Sequence, residues 1–241
     1  MVLVKPLTQK EIERHEELIA EYFSQIVGQT SPDIVFVDNG NEKGIYRVRT
    51  QDGIYVAAAA NRDCDHPGGT LLQEYNVLHA LYAGAPEFFP RPRAHYESEE
   101  DGMEGELMIM EFLPQVNLMR FGDSGKSLDR RKLAYLLGEA IATVNAKTGR
   151  YSSDPHDGNI LVGGEGKNLD IKFCDAIQFK TGSLEDGVRS ILVDKGVRPE
   201  AYRFIHRFKE GLARGIEANQ GIHFEEAKRS LAFMDEYNKL D

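Results

Sequence analysis

The sequence predicts an α+β fold, with an antiparallel sheet in its first half and helices dominating its second. Three observations carry this. Strand-like segments fall at roughly 33–38, 44–50 and 53–60 and are joined by Gly-containing turns such as "QDG". Two further strands lie within "AHYESEEDGMEGELMIMEFLP", on either side of an acidic, glycine-bearing hairpin loop. From Pro114 and the polar stretch "GDSGKS" onward, the hydrophobic spacing turns mainly helical. The 241 residues suffice for one large domain or two lobes sharing a cleft. The segments divide as a helical extension (1–32), a strand-rich lobe (33–113) and a helical lobe (114–241).

"LTQKEIERHEELIAEYFSQIVG" opens with Thr8 and Glu11 in the capping-box spacing. Ile12, Ile19, Tyr22, Phe23 and Ile26 then fall on one helical face, and Gly28 ends the helix. "SPD" breaks the chain before the first three strands. "GGTLLQEYNVLHALYAG" predicts a helix burying Leu71, Tyr75, Leu78 and Leu81 or Tyr82; in such a helix Glu74 is exposed by default. "FFPRPR" is a proline-stiffened connector. In "LDRRKLAYLLGEAIATVNAKTG", Leu133, Leu136, Leu137, Ala140, Ile141 and Val144 keep helical spacing. "NILVGGEGKNLDIKFCDAIQF" predicts two short strands around a glycine-rich turn, and three helices follow from about residue 184.

Composition bounds the partners. The 29 Lys+Arg residues against 39 Asp+Glu give a net charge of −10, which argues against a nucleic-acid backbone as partner. That balance is compatible with a cationic substrate or a metal. Cys64 and Cys174 are the only cysteines and form no CxxC pair, which points to a reducing compartment. The N-terminus becomes charged too early for a signal peptide, and no apolar run approaches the ~20 residues of a membrane helix. A soluble, cytoplasmic protein without a membrane partner is expected.

The chemistry concentrates in "SSDPHDGNILV", residues 152–162. Asp154 and Asn159 are separated by four residues, and Asp175 closes the second strand of the following hairpin. Alone, the first two read equally as a loop capping its own turn. With Asp175 in register they match what phosphoryl transfer requires. A loop carboxylate orients the attacking hydroxyl, while an amide oxygen and a second carboxylate hold Mg²⁺ against nucleotide phosphates. His156 and Asp157 suggest a metal cluster with Asp154, but no second histidine lies in a ligand-like pair. His156 is expected to hydrogen-bond within the loop, and Cys174 to be a core thiol.

These segments resemble the aminoglycoside phosphotransferase and choline kinase-like branch of the protein-kinase-like superfamily, whose loop commonly runs H-G-D-x-H-x-G-N-I-L. The likeness spans about Asp33 to Phe179, and no A-P-E-type segment follows Asp175. It implies a bilobal protein-kinase-like fold with a five-stranded antiparallel N-lobe and a mainly helical C-lobe. It also implies ATP- and Mg²⁺-dependent phosphoryl transfer to a hydroxyl of a small molecule. Carried over, Asp154 is the catalytic carboxylate, and Asn159 and Asp175 are the Mg²⁺ ligands. Gly40 to Gly44, including Lys43, is the phosphate-covering loop. Glu74 is the small-lobe helix glutamate, and Glu111, Phe112 and Leu113 form the hinge that meets adenine. The family's third strand carries a lysine that pairs with the helix glutamate; here that slot falls on Ala58 or Ala59, so Glu74 loses its partner. Lys43, Arg47 or Arg62 are the candidates to substitute. The alternative is a pseudokinase-type module that binds nucleotide or a partner without turnover.

Overall fold

Thr8 caps helix α1 (Gln9–Gln25) reciprocally: its hydroxyl accepts from the Glu11 N–H, and the Glu11 carboxylate accepts from the Thr8 N–H at 2.6 Å. The computed structural model describes residues 6–29, 31–40, 43–61, 70–99, 105–194, 202–219 and 224–237. Arg62 and Cys64 lie outside them, as do Asn41 and Glu42 of the Gly40–Gly44 loop. The fold is α+β, with a five-stranded antiparallel sheet and several helices. The chain divides into two compact units, Met1–His79 with Pro90–Leu113, and Ala80–Phe89 with Pro114–Asp241.

In the first unit the strands are β1 (Asp33–Gly40), β2 (Lys43–Thr50) and β3 (Gly53–Asn61). Helix α2 (Leu71–Gly84) begins there, and β4 (Pro92–Ser98) and β5 (Gly105–Glu111) complete the sheet in the order β1-β2-β3-β5-β4. α1 lays Leu18, Ile19, Tyr22 and Phe23 on one face, against Tyr46, Val48, Ala57, Ala59, Leu107 and Ile109. It thus shares a unit with the sheet. The expected helical face is corrected at its end: Ile26, at the C-cap, is 61% exposed, and His15 and Leu18 are buried instead. Four consecutive alanines are poor strand formers by propensity. They hold here because β3 is hydrogen-bonded on both sides, to β2 and β5, and because Ala57 to Ala60 are all buried. Strand alternation puts Ala57 and Ala59 toward α1, and Ala58 and Ala60 on the opposite face.

The second unit contains β6 (Val116–Asn117), α3 (Leu118–Phe121) and α4 (Arg130–Thr148). β7 (Arg150–Ser152), β8 (Ile160–Gly163), β9 (Asp170–Phe173) and β10 (Phe179–Thr181) follow. Helices α5 (Leu184–Arg189), α6 (Tyr202–Ala218) and α7 (Phe224–Tyr237) end it. Asp129 caps α4 through the Arg131 and Lys132 N–H groups, and Gly149, with φ of 64°, turns the chain out of the helix into β7. β6, β8 and β9 form one small sheet, and β7 pairs with β10 in another. β6, β7 and β10 are too short to leave a periodic signal in the sequence. α4 and α6 pack backbone to backbone: a Cβ on Gly138 would sit 2.1 Å from the Phe208 carbonyl oxygen, and one on Gly211 only 1.9 Å from that of Tyr135. Among the described residues, no helix is long and apolar enough to cross a membrane.

Candidate active site

The polar loop of the second unit is anchored at both ends by small strands. Its entry, β7, pairs Ser152 with Phe179, and Ser153 continues this by donating both its N–H and its hydroxyl to the Gln178 carbonyl at 2.9 Å. Pro155 is buried, which holds the loop down while His156 and Asp157 are exposed. The Asn159 N–H donates to the His156 carbonyl at 2.8 Å, closing a turn directly before β8. Inside that turn His156 Nδ1 accepts the Gly158 N–H at 2.9 Å, the expected loop role for this histidine. Glycine suits position 158, because a Cβ there would meet the His156 ring at 2.6 Å.

The hairpin then returns Asp175 to Asn159. Ile160 pairs with Phe173, and the ladder extends one step as the Cys174 N–H donates to the Asn159 carbonyl at 3.2 Å. Asp175, next in the chain, brings its Oδ2 to 3.5 Å from Asn159 Nδ2. The same amide nitrogen donates to the Asp154 backbone carbonyl at 3.0 Å. This network assigns the orientation of the amide: the NH₂ end is used within the loop, and Oδ1 is left as an acceptor. The Asn159 amide and the Asp175 carboxylate thus stand side by side, with the amide nitrogen toward the carboxylate; an amide oxygen and a carboxylate are the hard donors that Mg²⁺ takes, one or two from the protein and the rest from phosphate and water. Among the described residues no three His, Cys, Asp or Glu side chains gather as a metal cluster. Asp154 sits at the start of the same loop, its side chain 37% exposed and its Oδ2 3.9 Å from His156 Nε2. Cys174 is half-buried, with its thiol 3.6 Å from the Gly158 carbonyl.

In the first unit Glu74 departs from the exposed default: it is 4% exposed, on the buried side of α2 with Leu71 and Leu78. It also has a lysine partner, contrary to the expectation from the alanines of β3. Lys43 Nζ lies 2.5 Å from Glu74 Oε2, with side-chain exposures of 19% and 6%. Gly40 pairs with Lys43 across the β1–β2 hairpin. Gly44 lies under the Tyr46 ring, which a Cβ would meet at 2.5 Å. Arg47 is half-buried on the Lys43 side of β2, and its Nε makes no hydrogen bond. Glu111 ends β5 with its carboxylate accepting the Arg91 N–H at 3.1 Å, and Phe112 and Leu113 continue half-buried beyond the strand. No family model and no curated protein matches this chain.

One contributor escaped sequence reasoning: the Ser153–Gln178 anchor depends on β7 and β10, and its only sequence trace is a serine pair before Asp154. The Lys43–Glu74 pair joins residues 31 positions apart; Lys43 is one of three candidates, with Arg47 and Arg62, and only the structure singles it out as the partner of Glu74.

Proposed function

We propose that the protein is an ATP- and Mg²⁺-dependent phosphotransferase acting on a hydroxyl of a small molecule, with the protein-kinase-like fold of the aminoglycoside phosphotransferase and choline kinase-like branch. The observation that supports the reading is the approach of the Asn159 amide to the Asp175 carboxylate across one hairpin, with the same amide nitrogen tied to the Asp154 backbone carbonyl. The five-stranded antiparallel sheet ahead of the helical half is compatible with that fold. In this reading Asp154 orients the acceptor hydroxyl and takes its proton. Asn159 and Asp175 hold Mg²⁺, which when bound neutralises the charge on the nucleotide phosphates. The Gly40–Gly44 hairpin covers the phosphates, Lys43 is oriented by Glu74, and the Glu111–Leu113 backbone meets adenine. The net charge of −10 favours a cationic acceptor over an anionic one or a nucleic acid, in a cytoplasmic setting.

The second reading, a nucleotide- or partner-binding module without turnover, draws on β3, where Ala58 and Ala60 offer no charge. One experiment orders the two. Titration with Mg-ATP should raise the unfolding temperature, since a ligand at about 100 times its Kd stabilises by about 2.7 kcal/mol. ADP release is then followed in wild type and Asp154→Ala with a panel of amine-bearing alcohols. Loss of turnover by about 10²–10⁴-fold in Asp154→Ala, with ATP binding retained, is the expected outcome. Equal rates in the two proteins would favour the binding module, and no response to Mg-ATP at all removes the nucleotide from both readings.

A further inference from the structure

Arg47 has no part in the chemistry described so far. It is half-buried, and its Nε is enclosed with no hydrogen-bond partner. Enclosing an unpartnered guanidinium nitrogen costs free energy, and an arginine kept at that cost calls for a reason. Its place in the sheet supplies one. Arg47 lies opposite Val35 on β1 and Val56 on β3, and Val56 lies opposite Met110 on β5. Directly opposed residues point to the same face, so these four form one row on the face away from α1. Valines thus flank the guanidinium on both neighbouring strands. Glu111, next after Met110, points to the other face opposite Tyr55, and its carboxylate accepts the Arg91 N–H. α2 engages the Arg47 face at the other end of the strands, through Glu74 with Lys43, the Leu72 N–H with Glu106, and Tyr75 with His95. At the Arg47 end the face is open: Val35 and Ile54 are 37% and 39% exposed.

Position along the strand decides what Arg47 meets. This rests on the phosphotransferase reading above, in which the Gly40–Gly44 hairpin covers the phosphates and the Glu111–Leu113 backbone meets the base. Four residues of extended strand set Arg47 on the order of 13 Å from the phosphate end of β2. A nucleotide with its phosphates at that end therefore brings its base, not its phosphates, to the row of Arg47. Met110 belongs to the same row and leads directly into the Glu111–Leu113 backbone. A base whose edge meets that backbone lies flat beneath the strands, so side chains that stand out from the sheet meet its π face. We propose that Arg47 stacks its guanidinium on the face of the nucleobase, beside Val56. A planar, weakly hydrated cation suits an aromatic face, and one already partly withdrawn from water gives up little further hydration on stacking. Every base has a π face, so the contact holds adenine and guanine alike.

The test uses the full chain and two readouts. The first is the affinity for Mg-ATP and for adenosine of wild type, Arg47→Leu and the exposed control Arg49→Ala. Arg47→Leu should weaken both ligands by the same factor, about 5- to 30-fold, the range for a desolvated cation–π contact or a stacked base. Arg49→Ala should change neither. Without ligand, Arg47→Leu should unfold at or above the wild-type temperature, because it removes an unpartnered enclosed nitrogen. A loss confined to Mg-ATP assigns Arg47 to the phosphates and overturns the proposal. Unchanged affinity for both ligands also overturns it, a lowered unfolding temperature then marking a purely structural arginine, and leaves the phosphotransferase reading standing. The second readout needs no variant and covers the case in which Arg47→Leu fails to fold. As Mg-ATP is added to wild-type protein, the nuclear magnetic resonance signal of the Arg47 Nε–H should move upfield, the sign of a proton over an aromatic face. A signal that stays in place or moves downfield while Mg-ATP saturates overturns the stacking. Failure of wild type to bind Mg-ATP overturns both this proposal and the reading it rests on.

Discussion

Gly211→Ala is the sharpest test of how the second unit is built, because its sign is diagnostic. In an isolated helix the change stabilises by about 1 kcal/mol, since alanine has the best helix propensity and glycine loses the most backbone entropy. In α6 the new Cβ would lie 1.9 Å from the Tyr135 carbonyl oxygen, more than an ångström inside the closest approach that Cβ atoms make, and 2.7 Å from its carbon. Both are backbone atoms of α4, so no side-chain rotation relieves the overlap and the helices must part. A gap of 0.5–1 Å forfeits about a quarter to a half of each contact's dispersion energy. Overpacking of this kind costs about 1–3 kcal/mol, occasionally more. The overlap is severe enough that the cost exceeds the propensity gain, and a net loss of about 2 kcal/mol is expected. In a chain of this size that lowers the unfolding temperature by about 4–8 °C. Urea unfolding followed by circular dichroism measures it. A Gly211→Ala protein as stable as wild type, or about 1 kcal/mol more stable, would falsify the backbone-to-backbone contact of α4 with α6.

Burial, and secondarily the charge of Glu16, raises the pKa of the Tyr46 phenol above its ordinary 10.0. Stability from the neutral phenol is therefore complete below pH 10.0 and is lost as pH rises toward the folded-state value. Tyr46→Phe, which also removes the 3.0 Å bond to His15 Nδ1, should cost about 1 kcal/mol at neutral pH and make the alkaline decline shallower; identical alkaline slopes contradict it. For Glu87, burial works against the charged form, but the hydrogen bonds from Lys147 and its own backbone, with the Lys147 and Lys172 charges, prevail and lower its pKa. Its contribution is present above 4.5 and lost as pH falls through the lowered value. Because the Glu87 and Lys147 side chains are 43% and 38% exposed, Glu87→Gln should cost no more than about 0.5 kcal/mol at neutral pH, converging with wild type in acid. On the proposed phosphotransferase reading, Asp175→Asn removes the negative charge beside Asn159, so Mg²⁺ titrations at fixed ATP should need about tenfold more metal, or beyond, for the same thermal shift. An unchanged Mg²⁺ requirement would detach Asp175 from the metal.

The features legible in the sequence are those set by neighbours along the chain. The Thr8–Glu11 box is one, since a cap involves residues three apart. The juxtaposition of Asn159 with Asp175 is another, because a single hairpin register brings the two together. Features that depend on a partner far along the chain were misread or missed. Ile26 has the right helical phase but lies beyond the sheet that buries Tyr22 and Phe23. Glu74 follows an amphipathic pattern that exposes it, until a lysine from another strand makes its burial tolerable.

By itself, then, the sequence determined the alternation of strands and helices, the local caps, and the loop carrying Asp154 and Asn159 into a hairpin. These follow from backbone preferences and periodicity, which act over a few residues. Tertiary structure decided which cation meets Glu74, which face each alanine of β3 takes, and why glycines occupy the middles of α4 and α6. Each of those is a contact between surfaces distant in sequence, where burial sets the energy of a charge and a few tenths of an ångström set the energy of a methyl group.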